Sequence, residues 1–197
     1  MKSLIHILIC CVIFVSVTGC ASSTPSRLYT LNSTSSPAVM PQSNYSVSVG
    51  PVTIPSVVDR PQIVVRTGPN QVSIEEFERW ASPLKDDIGR VVVTNLVAIL
   101  GTTQITLFPQ STATGASYRV MIDVLHFDSE PGKAATLDAL WTVSAAKDGP
   151  SRRGRTTLTE ATQGADYAAL VAAHSRALGQ LSAEIARAIR EIQASNP

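Results

Sequence analysis

The stretch from Ser46 to Pro83 reads SVSVGPVTIPSVVDRPQIVVRTGPNQVSIEEFERWASP. Short runs of β-branched residues alternate in it with clusters that contain Pro or Gly, at Asp59-Arg60-Pro61 and again at Thr67–Asn70. Runs of this kind are typical of strands joined by tight turns. We therefore predict strands over Val47–Val52 and Ile63–Val65, with a further short strand over Val72–Ile74.

Two long helices are predicted on either side of a second group of strands. Apolar residues recur at helical spacing from Leu84 to Leu100, after Ser82-Pro83 as cap and first residue, and Gly101 ends the pattern. A second helix begins after Asp166 and runs to about Gln193. Its small residues form a stripe that fits either packing within the domain or a contact between subunits: Ala168, Ala172, Ser175, Gly179, Ser182 and Ala186.

Between the helices the sequence predicts a meander. Residues 104–108 indicate one strand, and Tyr118–Phe127 has apolar residues on both faces, as in a central strand. Turns at 129–132 and 147–150 then separate two more strands. The predicted fold class is α+β: an antiparallel-rich mixed sheet with two main helices packed on one side, in a single domain.

The N-terminal residues have the pattern of a bacterial lipoprotein signal. Leu4–Val17 is apolar but shorter than the roughly 20 residues of a bilayer span. Val17-Thr18-Gly19-Cys20 then places small residues before a Cys. We expect a signal peptide over 1–19, lipidation of Cys20, a tether over 20–26 and the folded domain over 27–197. The alternative is a signal peptide that happens to contain a Cys.

Composition gives no indication of nucleic-acid binding or of catalysis. The formal charge is +1, and removal of Lys2 with the signal would leave a mature chain of zero net charge. Cys20 would be its one thiol, and its histidines are His126 and His174. No metal-site spacing, phosphate-binding Gly loop or nucleophile motif occurs, so we predict no catalytic residue, no metal and no cofactor.

Four segments resemble the paraquat-inducible PqiC/YmbA lipoproteins, which are grouped with the ABC-type transport auxiliary lipoproteins. They are GPVTIPSVVDRPQIVVRTGPN and FERWASPL in the first stretch, SYRVMIDVLHFD at 117–128, and DYAALVAAHSRALGQLSAEIA at 166–186. The resemblance implies an outer-membrane lipoprotein, since residue 21 is Ala and not the Asp that retains lipoproteins in the inner membrane. It also implies a periplasm-spanning partner with mammalian-cell-entry (MCE) domains (PqiB-like), together with an inner-membrane (PqiA-like) or ABC transporter component.

The candidate contact residues for that partner are Asp59, Arg60 and Arg66, at Pro- or Gly-flanked positions that hold side chains outward. Each also fits a local ion pair. Trp80 is interpreted as a structural anchor. We further expect a homo-oligomer, in the form of a ring. A rival function is a periplasmic lipoprotein that binds or hydrolyses a small apolar ligand, which would need a pocket.

Overall fold

The computed structural model describes residues 24–36, 44–109, 115–146 and 149–195. The expected signal peptide, the lipidation site Cys20 and most of the tether lie outside these residues. The described residues form an α+β fold of eight strands and two helices, and the predicted fold class is confirmed. The elements are β1 (Arg27–Tyr29), β2 (Val47–Thr53), β3 (Gln62–Gly68), β4 (Gln71–Trp80), α1 (Leu84–Leu100), β5 (Ile105–Leu107), β6 (Tyr118–Glu130), β7 (Ala134–Ala145), β8 (Ser151–Ala161) and α2 (Tyr167–Ala194).

The strands divide into two mixed sheets. Sheet A has the order β1-β4-β3, with β1 parallel and β3 antiparallel to β4. Sheet B has the order β5-β2-β6-β7-β8, in which β2 pairs in parallel with β5 and β6, and β6, β7 and β8 form an antiparallel meander. The central position predicted for 118–127 and the meander after it are both observed.

The strand predicted at Val72–Ile74 is longer than the sequence pattern indicates. It continues as β4 to Trp80, because a register shift opposite Gln62 and Ile63 absorbs the extra residues 76–78. Such bulges reverse which face a side chain points to. The charged run Glu75–Arg79 is therefore part of a sheet, and Glu78 in it is buried.

The helices pack on each other and on sheet B, with α1 against β2 and β5, and α2 against β7 and β8. The cap of α1 differs from expectation: Pro83 occupies it with extended ψ of 124°, and no side chain caps the helix. Its end is as predicted, since Gly101 has φ of 67° and its N–H donates to Val97. Asp166 caps α2 by accepting from the Ala169 N–H at 2.7 Å.

The small-residue stripe of α2 packs partly within the domain. A Cβ added at Gly179 would lie 2.3 Å from Thr34 Oγ1, so the chain at 31–35 crosses the helix there. Ser175 accepts from the Asn32 N–H, and Ser182 accepts from Asn95 of α1. These contacts fit the intradomain alternative for the middle of the stripe, and the homo-oligomer stays a prediction.

Candidate docking groove

A groove forms where the turn before β3 meets the corner between β4 and α1. The Trp80 N–H donates to the Pro61 carbonyl at 2.7 Å, which brings the corner after β4 against the turn before β3. The open space between them is about 490 Å³ and is lined by Asp59–Pro61 and Trp80–Asp86. Both segments, DRP and WASPL, belong to the motifs that carry the family resemblance.

The rim of the groove carries charge of both signs. Lys85 Nζ lies 4.0 Å from Asp59 Oδ2, with both side chains about half exposed. Arg60 is partly buried, and its Nε has no hydrogen-bond partner within the described part of the chain. This Nε–H is itself buried, and a buried donor without an acceptor is costly.

Trp80 forms the floor and continues into an aromatic column. Its indole is 6% exposed and lies edge-on to Phe127, with ring centroids 6.2 Å apart. Phe127 stacks in turn on His174 at 3.9 Å and 9°. His174 is fully buried, its Nε2 lies 2.8 Å from Ser129 Oγ, and burial lowers its pKa to about 3. The groove floor is thus packed rigidly against α2.

Arg66 lies away from this groove, near the opposite end of β3. Its Nη2 donates to Asp128 Oδ1 at 2.8 Å and its Nη1 to the Pro69 carbonyl at 3.1 Å. The hydrogen bond to Asp128 raises the pKa of Arg66. The three predicted contact residues therefore do not form one surface: Asp59 and Arg60 line the groove, whereas Arg66 holds the edge of sheet A to β6. A contact role for any of them stays a prediction.

Two acidic residues have structural roles that the sequence interpretation did not identify. Glu78 is buried and accepts from Arg27 and from the Tyr29 hydroxyl, the latter at 2.6 Å, which joins β1 to β4. Burial, with that hydrogen bond, raises the pKa of Tyr29 to about 12. Asp87, in the first turn of α1, is 3% exposed and accepts from the Leu31 N–H at 2.8 Å. The signal that could have indicated Glu78 is its position two residues before Trp80, on the same face of the strand.

Within the described ranges, no three His, Cys, Asp or Glu side chains come together as ligands for a metal ion. Among the same residues, no helix is both long and apolar enough to cross a bilayer.

A sequence model of the ABC-type transport auxiliary lipoprotein component matches residues 29–186, most of the chain. The chain belongs to this family. The ABC-type transport auxiliary lipoproteins are components of transport systems and not a known family of enzymes. The match spans the groove, α1 and both sheets except the first two residues of β1, and α2 up to Ala186; all four segments quoted above lie within it.

Two solved structures share the fold of this family member. A Xanthomonas campestris protein assigned to the DUF330 family has 22% identity and a TM-score of 0.71, covering 87% of this chain and 100% of that one. An uncharacterized protein has 22% identity and a TM-score of 0.69, covering 84% and 99%. Comparison with curated protein sequences found no match.

Proposed function

We propose that the protein is an outer-membrane-anchored lipoprotein subunit of a trans-envelope, MCE-type lipid transport system. Acyl chains on Cys20, palmitate among them, would hold it at the periplasmic face of that membrane. Its task would be to dock a periplasm-spanning partner and so support membrane integrity. The mechanism is positioning, with no covalent chemistry.

The groove at Asp59–Pro61 and Trp80–Asp86 is the observation that carries the proposal. It combines an apolar aromatic floor, a partly exposed Arg side chain and a mixed-charge rim, which are features of protein-recognition surfaces. Trp and Arg are also the residues that most often dominate binding energy. Because Trp80 packs on Phe127, the floor would not need to be ordered on binding.

The proposed occupant is a segment of the MCE-domain (PqiB-like) protein, which in turn would join an inner-membrane (PqiA-like) or ABC transporter component. Arg60 would contact a carbonyl or carboxylate of that segment through its positively charged side chain. Family membership supports a transport partner, and the groove offers a place for it.

Reversal of charge at Arg60 tests the docking role. We expect Arg60→Glu to weaken co-purification with the MCE-domain protein by about tenfold or more, since a contact of this kind contributes about 2 kcal/mol. The melting temperature should change by only about a few degrees. Arg153→Glu, an exposed substitution on β8 away from the groove, is the control and should bind normally.

The result can contradict the proposal in two ways. Unchanged co-purification of Arg60→Glu would show that the groove is not the docking surface. A large loss of stability would show that Arg60 serves the fold. Arg66→Glu is less informative, because it would place a second negative charge beside Asp128 and destabilise the edge of sheet A.

A further inference from the structure

The outer face of sheet A exposes apolar side chains along β1 and β4, whereas on β3 the register partner of Ile74, Val64, is buried. Val72 and Ile74 alternate along β4 with Ser73 and Glu75, and so point to the face away from the core. Leu28 of β1 pairs in register with Arg79, two residues from Phe77. The described residues have eight exposed large apolar side chains, and four of them lie in this three-stranded sheet: Leu28, Val72, Ile74 and Phe77. Apolar side chains grouped in this way mark interaction surfaces.

The direction of β1 relates this face to the lipid anchor. Because β1 runs parallel to β4 and Arg27 pairs with Glu78, an extended chain before Arg27 would run toward the end of β4 that carries Val72. Six residues separate Cys20 from Arg27, and they span at most about 20 Å when extended. The path along β4 from Val72 to Glu78 is also about 20 Å. Acyl chains on Cys20 would therefore bring a bilayer within reach of Val72 and Ile74.

The charges around the face are compatible with phospholipid. Glu76 is paired with Arg79 at 2.8 Å, and Glu78 is buried beneath Arg27. The guanidinium of Arg27 remains largely exposed beside Leu28. Apolar side chains flanked by Arg are the combination that binds the interface of a bilayer, where the rings and aliphatic groups enter and the cation meets phosphate.

We propose that Leu28, Val72, Ile74 and Phe77 form a membrane-contact face that lies against the phospholipid surface next to the anchor. This inference rests on the proposed lipidation of Cys20. It orients the domain with this face of sheet A toward the bilayer, and the groove opens at the Trp80 end of β4.

The test compares two positions of equal exposure in the lipidated, full-length protein. Ile74 is 47% exposed on the proposed face, and Val57, at 46%, lies in the turn beside Asp59 at the groove. Ile74→Cys and Val57→Cys each add the one thiol available for labelling once Cys20 is acylated. A fluorophore there is measured in vesicles of phosphatidylethanolamine and phosphatidylglycerol, with nitroxide on the lipid chains or iodide in the water as quencher. Phe77→Cys provides a second position on the face.

We expect nitroxide lipid to quench the probes at 74 and 77 at least about twofold more than the probe at 57, because an interfacial face enters the bilayer by about 5–10 Å. Iodide should show the reverse order. Equal quenching at 74 and 57, with acylation of Cys20 verified by mass spectrometry, would overturn the inference and leave the anchor intact. Shielding of 74 and 77 from both quenchers would assign the face to a second copy or another protein and also overturn it. Absence of acyl chains on Cys20 would overturn anchor and face together.

Discussion

His174 is the residue whose ionisation the fold most strongly opposes. Its ring is sealed between Phe127 and the helix, and burial lowers its pKa from 6.5 to about 3. The unfolded chain would therefore bind a proton at this ring between these two pH values, whereas the folded chain would not. The free energy of unfolding must fall as pH decreases below 6.5, by about 1.4 kcal/mol per unit.

We predict that urea unfolding of the unlipidated domain gives a free energy about 2 kcal/mol lower at pH 5 than at pH 7. His174→Gln should remove most of that difference, whatever its own stability. The matched control is His126→Gln, which removes the other histidine of the described residues, at an exposed position. Equal stability of the wild type at both pH values would contradict the assignment.

Single residues also show where prediction from sequence ended. Nothing in the sequence indicates that Phe127 stacks on His174. The partner of Arg66 is Asp128, 62 residues later, and a contact so distant leaves no local pattern. For the same reason the predicted contact residues could not be separated into those at the groove and the one at the sheet edge.

At the scale of elements, Asp87 joins the segment after β1 to α1. It accepts from the Leu31 N–H, pairs with Arg90 and lies within reach of Thr30. Its neighbour Asp86 is exposed in the same helical turn. Loss of either carboxylate would weaken the interaction with the helix dipole to a similar extent, but loss of Asp87 also leaves a buried N–H without an acceptor.

We predict that Asp87→Ala destabilises the domain by about 2 kcal/mol, and that Asp86→Ala changes it by less than about 0.5 kcal/mol. Hydrogen exchange at the Leu31 amide should quicken in Asp87→Ala beyond what the lower global stability explains. If both variants lose the same stability, the stabilising effect of Asp87 comes from the helix dipole and not from its hydrogen bond to the Leu31 N–H.

The types and order of the elements were largely predictable, because Pro and Gly bound the strands and the helices have clear apolar stripes. The division into two sheets was not. It depends on the bulge at residues 76–78 and on β1 joining β4 through Glu78, and neither follows from alternation of apolar and polar residues. The Pro83 cap of α1 shows the same limit, since Ser82 and Pro83 both suit helix starts.

For the whole molecule, β4 relates the two proposed surfaces. It carries Val72, Ile74 and Phe77 of the proposed membrane-contact face, and its last residue, Trp80, forms the floor of the groove. A short tether with a membrane-contact face would limit tumbling of the domain. A partner would then meet the groove in a restricted orientation, which lowers the entropic cost of docking.

The anchor is tested by variants at two adjacent residues. We predict that wild-type protein incorporates a fatty-acid analogue and that Cys20→Ser does not, because the thiol is the acceptor of the acyl group. Cys20→Ser should also lose stable binding to the membrane fraction while its domain stays folded. Ala21→Asp is the matched control: it should keep the label but move the protein to the inner-membrane fraction, since Asp at this position is the retention signal. Unlabelled wild-type protein would contradict lipidation. Labelled Ala21→Asp that still fractionates with the wild type would leave lipidation intact and contradict the proposed sorting to the outer membrane.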